Sequence, residues 1–535
     1  MSKTKDKRIY EVLAVFLLIL AAALIRNAYL LQYEARLPYY RVPIIDSAYY
    51  DAWAWRVAEG RGYGPMPFYM APLYPYVLAL IYKVFGHSFT IVYFFQELLG
   101  VLNVFLVYLL GRRLFGHVAG LIAGLLITLY APVVYLESKL LTETLAISLG
   151  LGSLLMLLRA MDRPTILRFL ATGIMLGLSA VCRPAALLTA VLMVLWLLWR
   201  KPVRGRLVAT MAIGIALAIL PVTARNYFIG RDFALITTNG GICFAQSNAP
   251  TATGVSESLG GFSSALETQQ QEEMAYASRV LRHQVTASES AAFWFRIGLN
   301  TAKEEPAKFA LLQVKKLAWS LHNREPGCSY SVYFEQTLVP ALRYLFMPFS
   351  LLAGLGLFGL VRSKQQNAGL LAIQVLSIYL TMMVFAVSSR YRAPAMPAIA
   401  VFAGSGIIEG ASALRKLNLK AVGILAACLA GICAISLIKY PQPLIQSSDT
   451  GNLASTFLES GSVDKAIYYL NKTLQIEPSA HAHYVLGHAL LRKGRLDDAV
   501  VHFKKAVEMT PGDQELQAAL ALALFKQEES RKHHP

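Results

Sequence analysis

Apolar runs of about the length that crosses a bilayer (~20 residues) recur along most of this chain. They fall near residues 9–30, 89–110, 116–135, 141–160, 166–182, 185–199, 206–224, 338–361, 368–388, 393–411 and 419–438. The pattern predicts eleven transmembrane helices, the fifth and sixth short and joined at Arg183–Pro184. With the N-terminus inside, the inner connections are residues 1–8, Arg112–Arg113, Arg159 to Arg168, 199–206, Arg362 to Lys364 and Arg415 to Lys420, and all are basic. The short outer connections are nearly free of Lys and Arg, as the positive-inside bias requires. An odd number of spans puts the C-terminus outside.

Two long outer segments remain, 31–88 and 225–337. In the first, residues 71–86 are too short and too interrupted by proline to span comfortably, and read as an interfacial helix. The second opens with a polar Gly/Asn-rich stretch, 237–254, read as a turn region, followed by amphipathic helix over roughly 265–320. The chain divides into a membrane domain, 1–440, and a soluble tail, 449–535. In the tail, Leu486, Gly487, Leu490, Ala499, Phe503, Ala506 and Pro511 follow the small-and-large spacing of a tetratricopeptide repeat. An earlier copy holds Leu453, Ala454, Phe457, Ala466, Leu470 and Pro478, and Ala466 to Ala499 is 33 residues, close to that repeat's period. Residues 514–526 read as a capping helix. Such repeats form a concave surface for a protein partner.

Composition agrees: of 535 residues 56% are hydrophobic and 15% charged, outside the soluble globular range. The formal charge of +18 sits in the inner connections, while the tail holds 11 acids against 10 Lys/Arg. That distribution is not a nucleic-acid face, and no nucleic-acid partner is expected. The first run has no small-residue cleavage site and reads as an uncleaved helix. Five cysteines form no disulfide framework. Cys182, Cys428 and Cys433 lie in predicted spans, and Cys243 and Cys328 share one outer segment and are a candidate pair.

Charges at the outer boundary are the candidate chemistry. Ionisable groups at membrane depth cost about 2.5–3.5 kcal/mol on insertion scales and usually mark a site. Asp46 and Asp51 lie in the first outer loop among Tyr49, Tyr50, Trp53 and Trp55, aromatic residues of the kind that seat a loop at the membrane surface. Glu137 and Glu143 stand at outer span ends, as do Arg183, Arg225, Arg390 and Arg392. Guanidinium presents a permanently charged fork suited to phosphate oxygens, so these arginines are candidate ligands for a lipid phosphate. The competing reading for any one of them is a structural ion pair, for instance Glu137 with Arg183. No phosphate-cradling Gly-rich loop, HExxH or paired-Cys metal spacing occurs, and six of the ten histidines lie in the tail.

Residues 9–440 resemble the GT-C membrane glycosyltransferases, the protein O-mannosyltransferase-like group that includes the lipid A aminoarabinose transferase. The stretches that carry the resemblance are 44–64 (IIDSAYYDAWAWRVAEGRGYG), 71–86, 110–116, 135–145 (YLESKLLTETL), 177–188, 237–248 and 388–404 (SSRYRAPAMPAIAVFAG). Repeats after the last span also resemble the animal O-mannosyltransferases that carry them. The resemblance implies an all-α GT-C-type bundle, a donor sugar on a polyprenyl phosphate, inverting transfer, and the first-loop acid, Asp46, as general base. Glu137 and Glu143 match its second acidic group. Many relatives carry adjacent acids in the first loop. Here Ser47 follows Asp46 and the next acid is Asp51, so no metal is expected to be required. On a helix, five residues turn Asp51 about 140° away, which leaves it, with Glu143, as second choice.

These observations lead to one expectation: a glycosyltransferase at the periplasmic face of a bacterial inner membrane, with Asp46 and Glu137 catalytic and Arg390, Arg392, Arg183 and Arg225 on the lipid phosphate. The acceptor would be a protein, a lipid or a polysaccharide. The alternatives are a membrane scaffold presenting the repeats, and a transporter, which predicts mid-span charges and internally repeated halves.

Overall fold

A computed structural model describes residues 2–201, 203–255, 266–327, 331–345 and 348–533. Among them the chain is helical and contains no strand, and an isolated bridge pairs Val255 with Val387. It forms two compact units: Met1–Leu30, Ile45–Cys328 and Ala341–Pro441 make the first, and Leu31–Ile44, Ser329–Pro340 and Gln442–Pro535 the second.

The first unit is a bundle. Helix α1 covers Ser2–Arg36, and α2 (Asp46–Ala58) and α3 (Leu73–Phe85) follow in the first long segment. Then come α4 (Phe89–Phe115), α5 (His117–Leu129), α6 (Ala131–Glu137), α7 (Glu143–Asp162), α8 (Ile166–Cys182), α9 (Ala186–Arg200) and α10 (Gly205–Phe228). The second long segment carries α11 (Gly240–Asn248), α12 (Leu266–Leu281), α13 (Ala287–Glu304) and α14 (Pro306–Leu321), then α15 (Val332–Leu338), which belongs to the second unit, and α16 (Pro340–Arg343). The last group is α17 (Phe349–Arg362), α18 (Ala368–Val384), α19 (Ser389–Arg392), α20 (Met396–Arg415) and α21 (Leu419–Ile435).

Nine of the eleven predicted spans each coincide largely with one helix, and two, 116–135 and 338–361, are divided between helices. Five segments are long and apolar enough to cross a membrane: Lys7–Arg36, Phe89–Phe115, Glu143–Asp162, Gly205–Phe228 and Ser389–Arg415; seven more apolar helices have 10–17 residues. Proline sets several boundaries, since it lacks an N–H and disfavours helix in the residue before it. Pro184 separates α8 from α9, Pro132 opens α6 after extended Tyr130, and Pro348 precedes α17. The runs 116–135 and 338–361 are therefore each broken rather than continuous. Small residues allow the closest crossings: a Cβ on Gly173 of α8 would stand 2.0 Å from the Met211 carbonyl of α10, and one on Gly214 would stand 2.4 Å from the Leu170 carbonyl.

Helix α3 buries Tyr74, Leu78, Ile81 and Tyr82 and exposes Tyr76, Leu80, Val84 and Phe85. Its outward face is as apolar as its inward one, which suits contact with lipid. The stretch 237–254 is not merely a turn: 240–248 is helical, and Ile242 and Ala245 share a face that packs on α13 around Trp294. The loop aromatics also differ from expectation. Trp53 is fully buried, and Tyr49 and Tyr50 nearly so. Trp53 lies 4.5 Å from the Tyr63 ring and 5.4 Å from Phe68. The loop folds back on itself, so these rings form its core rather than a membrane-surface anchor. Cys182, Cys243, Cys428 and Cys433 are free, and Cys328 lies outside the described residues.

The second unit contains α22 (Ser447–Glu459), α23 (Val463–Ile476), α24 (Ala480–Arg492), α25 (Leu496–Met509) and α26 (Gln514–His533). Ala466 and Ala499 are both fully buried where neighbouring helices meet. At Gly487 a Cβ would stand 2.8 Å from the Phe503 ring, which shows why the repeat keeps a small residue opposite a large one. Phe334 meets the Tyr469 ring edge-on, so the described part of Ser329–Pro340 packs on the first repeat.

Candidate active site

Four of the predicted residues converge, and each stands at a helix end. Asp46 is the first residue of α2, Glu143 the first of α7, Arg183 follows α8 directly, and Arg390 lies in the short α19. Arg390 Nε donates to Glu143 Oε1 at 2.9 Å, and its Nη1 donates to Asp46 Oδ2. Arg183 Nη1 donates to the same Glu143 oxygen at 2.8 Å. The Arg183 guanidinium also lies 4.9 Å from the Tyr391 ring centre, a cation–π contact. Glu143 Oε2 is buried without a hydrogen bond among the described residues.

Exposure grades the cluster. The Glu143 side chain is 1% exposed, whereas Arg390, Asp46 and Arg183 are 11%, 14% and 14% exposed. Glu143 is thus a floor that orients two guanidinium groups, and Asp46 with the two arginines can be reached from outside. Two carboxylates face two guanidinium groups, so the resting cluster is balanced in charge. An anion arriving at the arginines must compete with a carboxylate.

The other predicted residues are engaged elsewhere. Glu137 pairs with Arg26, Oε1 to Nη2 at 3.0 Å and Oε2 to Nε at 2.7 Å, and both side chains are buried. The pair Glu137–Arg183 offered by the sequence is therefore not the one formed. Gly100 makes room for it: a Cβ there would stand 2.5 Å from Glu137 Cδ and 2.7 Å from Arg26 Nε. Asp51 accepts from the Tyr82 hydroxyl at 2.6 Å and lies 2.7 Å from His87 Nε2. Arg225 donates to the Gly64 and Met66 carbonyls and lies 4.4 Å from the Phe68 ring centre, so it clamps the first loop.

Arg392 turns away from Arg390. It pairs with Glu325 at 2.7 Å, donates to the His322 carbonyl at 2.8 Å and lies 3.9 Å from the Phe349 ring centre. Two residues on a helix differ by about 200°, which sends neighbouring arginines to opposite sides.

Sequence reasoning missed several partners. Arg26 lies inside an apolar run, and an ionisable group there was itself a signal. Glu273 of α12 is buried and accepts from Tyr69 Oη at 2.5 Å. Burial pushes its carboxyl up to about 7, against the hydrogen bonds that favour ionisation. Lys316 of α14 is buried, donating to Asn248 Oδ1 at 2.8 Å and the Met383 carbonyl at 3.1 Å, and burial pulls it down to about 7. No signal in the linear sequence separates Glu273 or Lys316 from the other charges of that segment. No group of three or more potential metal ligands occurs among the described residues.

Residues 69–227 match the family model described as dolichyl-phosphate-mannose-protein mannosyltransferase. That segment contains Glu137, Glu143, Arg183 and Arg225 and leaves Asp46 and Arg390 outside it. Residues 457–523 match a tetratricopeptide repeat model, where the repeat was read. Comparison with curated proteins returns no match. Among solved structures the chain is similar to the oligosaccharyltransferase of Archaeoglobus fulgidus in the apo form, at a TM-score of 0.45 and 13% identity, over 87% of this chain and 60% of that one. It is similar to ArnT from Cupriavidus metallidurans bound to undecaprenyl phosphate, at 0.43 and 15%, over 94% and 76%. The chain spans about 60% of the length of the archaeal protein.

Proposed function

We propose that the chain is a membrane glycosyltransferase that moves a sugar from a polyprenyl-phosphate donor to an acceptor hydroxyl, with Asp46 as general base. The observation that carries this reading is Arg390 held between Asp46 and Glu143 at a partly exposed cluster of helix ends. The family match over 69–227 supports the donor class.

In the proposed reaction the donor phosphodiester binds Arg390 and Arg183 and displaces Asp46 from Arg390. A carboxylate freed from a guanidinium becomes a better base. The acceptor oxygen attacks the anomeric carbon, its proton passes to Asp46, and the bond from that carbon to the phosphate oxygen breaks. Attack opposite the leaving group inverts the anomeric centre. The two arginines stabilise the second negative charge on the departing polyprenyl phosphate, and Glu143 keeps them aimed. These groups need no metal. Glu137 and Arg392 are assigned to the framework, and Arg225 and Asp51 to the first loop. The site would face the periplasm of a bacterial inner membrane, with the repeats on that side recruiting a protein partner. The acceptor would be a protein, a lipid or a polysaccharide.

The test is donor turnover by protein in lipid nanodiscs, with polyprenyl-phosphate sugars and a membrane extract as acceptor source. Asp46→Asn lowers turnover at least about 100-fold, the lower end of general-base contributions. Turnover within a few-fold of wild type in a folded Asp46→Asn protein contradicts the assignment.

A further inference from the structure

The residue before Asp46 adopts a backbone conformation that its side chain opposes. Ile45 has φ 49° and ψ −121°. Those angles match the first central position of a type II′ turn, which glycine dominates. For a β-branched residue a positive φ is a genuine outlier. Lys201 also has φ 49°, but its ψ of 39° lies in the left-handed helical region, as is common just past a helix end. Ile45 has no such excuse, because it stands at the start of a helix.

What Ile45 precedes gives the outlier meaning. Its carbonyl accepts from the Tyr49 N–H at 3.0 Å and so closes the first turn of α2. Asp46, the next residue, receives the Arg390 guanidinium. Tyr49, Tyr50 and Trp53 bury the rest of the helix and hold it in place. The direction of Asp46 is therefore set by the turn before it. Strained backbone that persists at such a point is over-determined by its surroundings and is found where a catalytic group must be aimed.

We propose that Ile45 is a positioning residue whose strained II′ backbone aims Asp46 at the arginine pair. The packing around α2 holds Ile45 in this turn against the preference of its branched side chain, whereas glycine, with no Cβ to restrict φ and ψ, would admit the turn and many other conformations. The role in turnover rests on the glycosyl-transfer reading above; the role in holding Asp46 does not.

The test compares Ile45→Gly and Ile45→Val in the full-length protein in nanodiscs. Ile45→Gly relieves strain, so its thermal midpoint equals or exceeds that of wild type. Hydrogen exchange of the amides of residues 46–50 rises at least about fivefold, and turnover falls about tenfold with donor KM within about twofold, in line with the sensitivity of rates to sub-ångström misplacement. Ile45→Val, which keeps the branch, stays within about twofold of wild type in exchange and turnover. A lowered midpoint for Ile45→Gly, unchanged exchange, or the same behaviour in both variants overturns the proposal. If wild type shows no turnover at all, the transfer reading fails, and hydrogen exchange still decides whether Ile45 holds Asp46.

Discussion

Asp46→Asn is predicted to bind polyprenyl phosphate more tightly than wild type while losing turnover. In the resting cluster Arg390 is shared between Asp46 and Glu143. A phosphate that takes Arg390 must break the contact to Asp46. Asparagine keeps the shape and removes the competing charge. The side chains are 11% and 14% exposed, so the pair lies between the weak surface case and the fully buried one. A hydrogen bond to a charged group contributes about 1.5–3 kcal/mol, which is about 10- to 100-fold in Kd. The asparagine carbonyl still accepts from Arg390, which favours the lower end, about tenfold. The assay is equilibrium binding of a polyprenyl phosphate to protein in nanodiscs of neutral lipid, in wild type and Asp46→Asn. Arg390→Ala serves as the control that abolishes binding. Equal or weaker binding by Asp46→Asn refutes the displacement argument.

Three further predictions follow from the surroundings. Gly100→Ala forces apart the Arg26–Glu137 pair and costs about 3–5 kcal/mol, as for other broken buried pairs, whereas Gly423→Ala, with no atom within 4 Å of its Cβ, leaves the thermal midpoint unchanged. Arg392→Lys keeps the charge but loses the fork to Glu325 and the His322 carbonyl; it lowers the midpoint, by about 2 kcal/mol of stability, and leaves the Kd for polyprenyl phosphate within about twofold. Glu273, pushed up to about 7, binds its proton more tightly folded than unfolded. Its contribution is fully present at low pH and is lost as pH rises toward 7, at about 1.4 kcal/mol per pKa unit. Glu273→Gln flattens that loss in a thermal-midpoint series from pH 4.5 to 8.

The fold was largely legible because apolar runs of about bilayer length are written in the linear chain. All eleven apolar runs became helices, and the places where runs broke, at Tyr130 and Pro348, carry proline in or beside the break. The repeats were legible for the same reason, since Ala466 and Ala499 mark a local spacing. Single residues of the cluster could also be named: Asp46 as an acid of the first long loop, and Glu143, Arg183 and Arg390 as charges at the ends of apolar runs. Their partnerships could not. Asp46 and Arg390 are 344 residues apart, and Arg26 and Glu137 are 111 apart, and no spacing rule joins such pairs. Arg390 and Arg392 look alike in sequence, yet the turn of α19 sends one to Asp46 and the other to Glu325. The aromatics of the first loop were placed at the membrane surface because interfacial and internal aromatics have the same composition. Only the fold-back onto Tyr63 and Phe68 separates the two cases.

The central claim is that the arginine pair holds the donor phosphate and releases Asp46 to act. Its most direct test is a structure of the full-length protein in nanodiscs with a polyprenyl phosphate bound. The account predicts the phosphate on Arg390 and Arg183, Glu143 still bridging the two arginines, and the Asp46 carboxylate separated from Arg390. A phosphate bound elsewhere, or one bound while Asp46 and Arg390 stay paired, would contradict it.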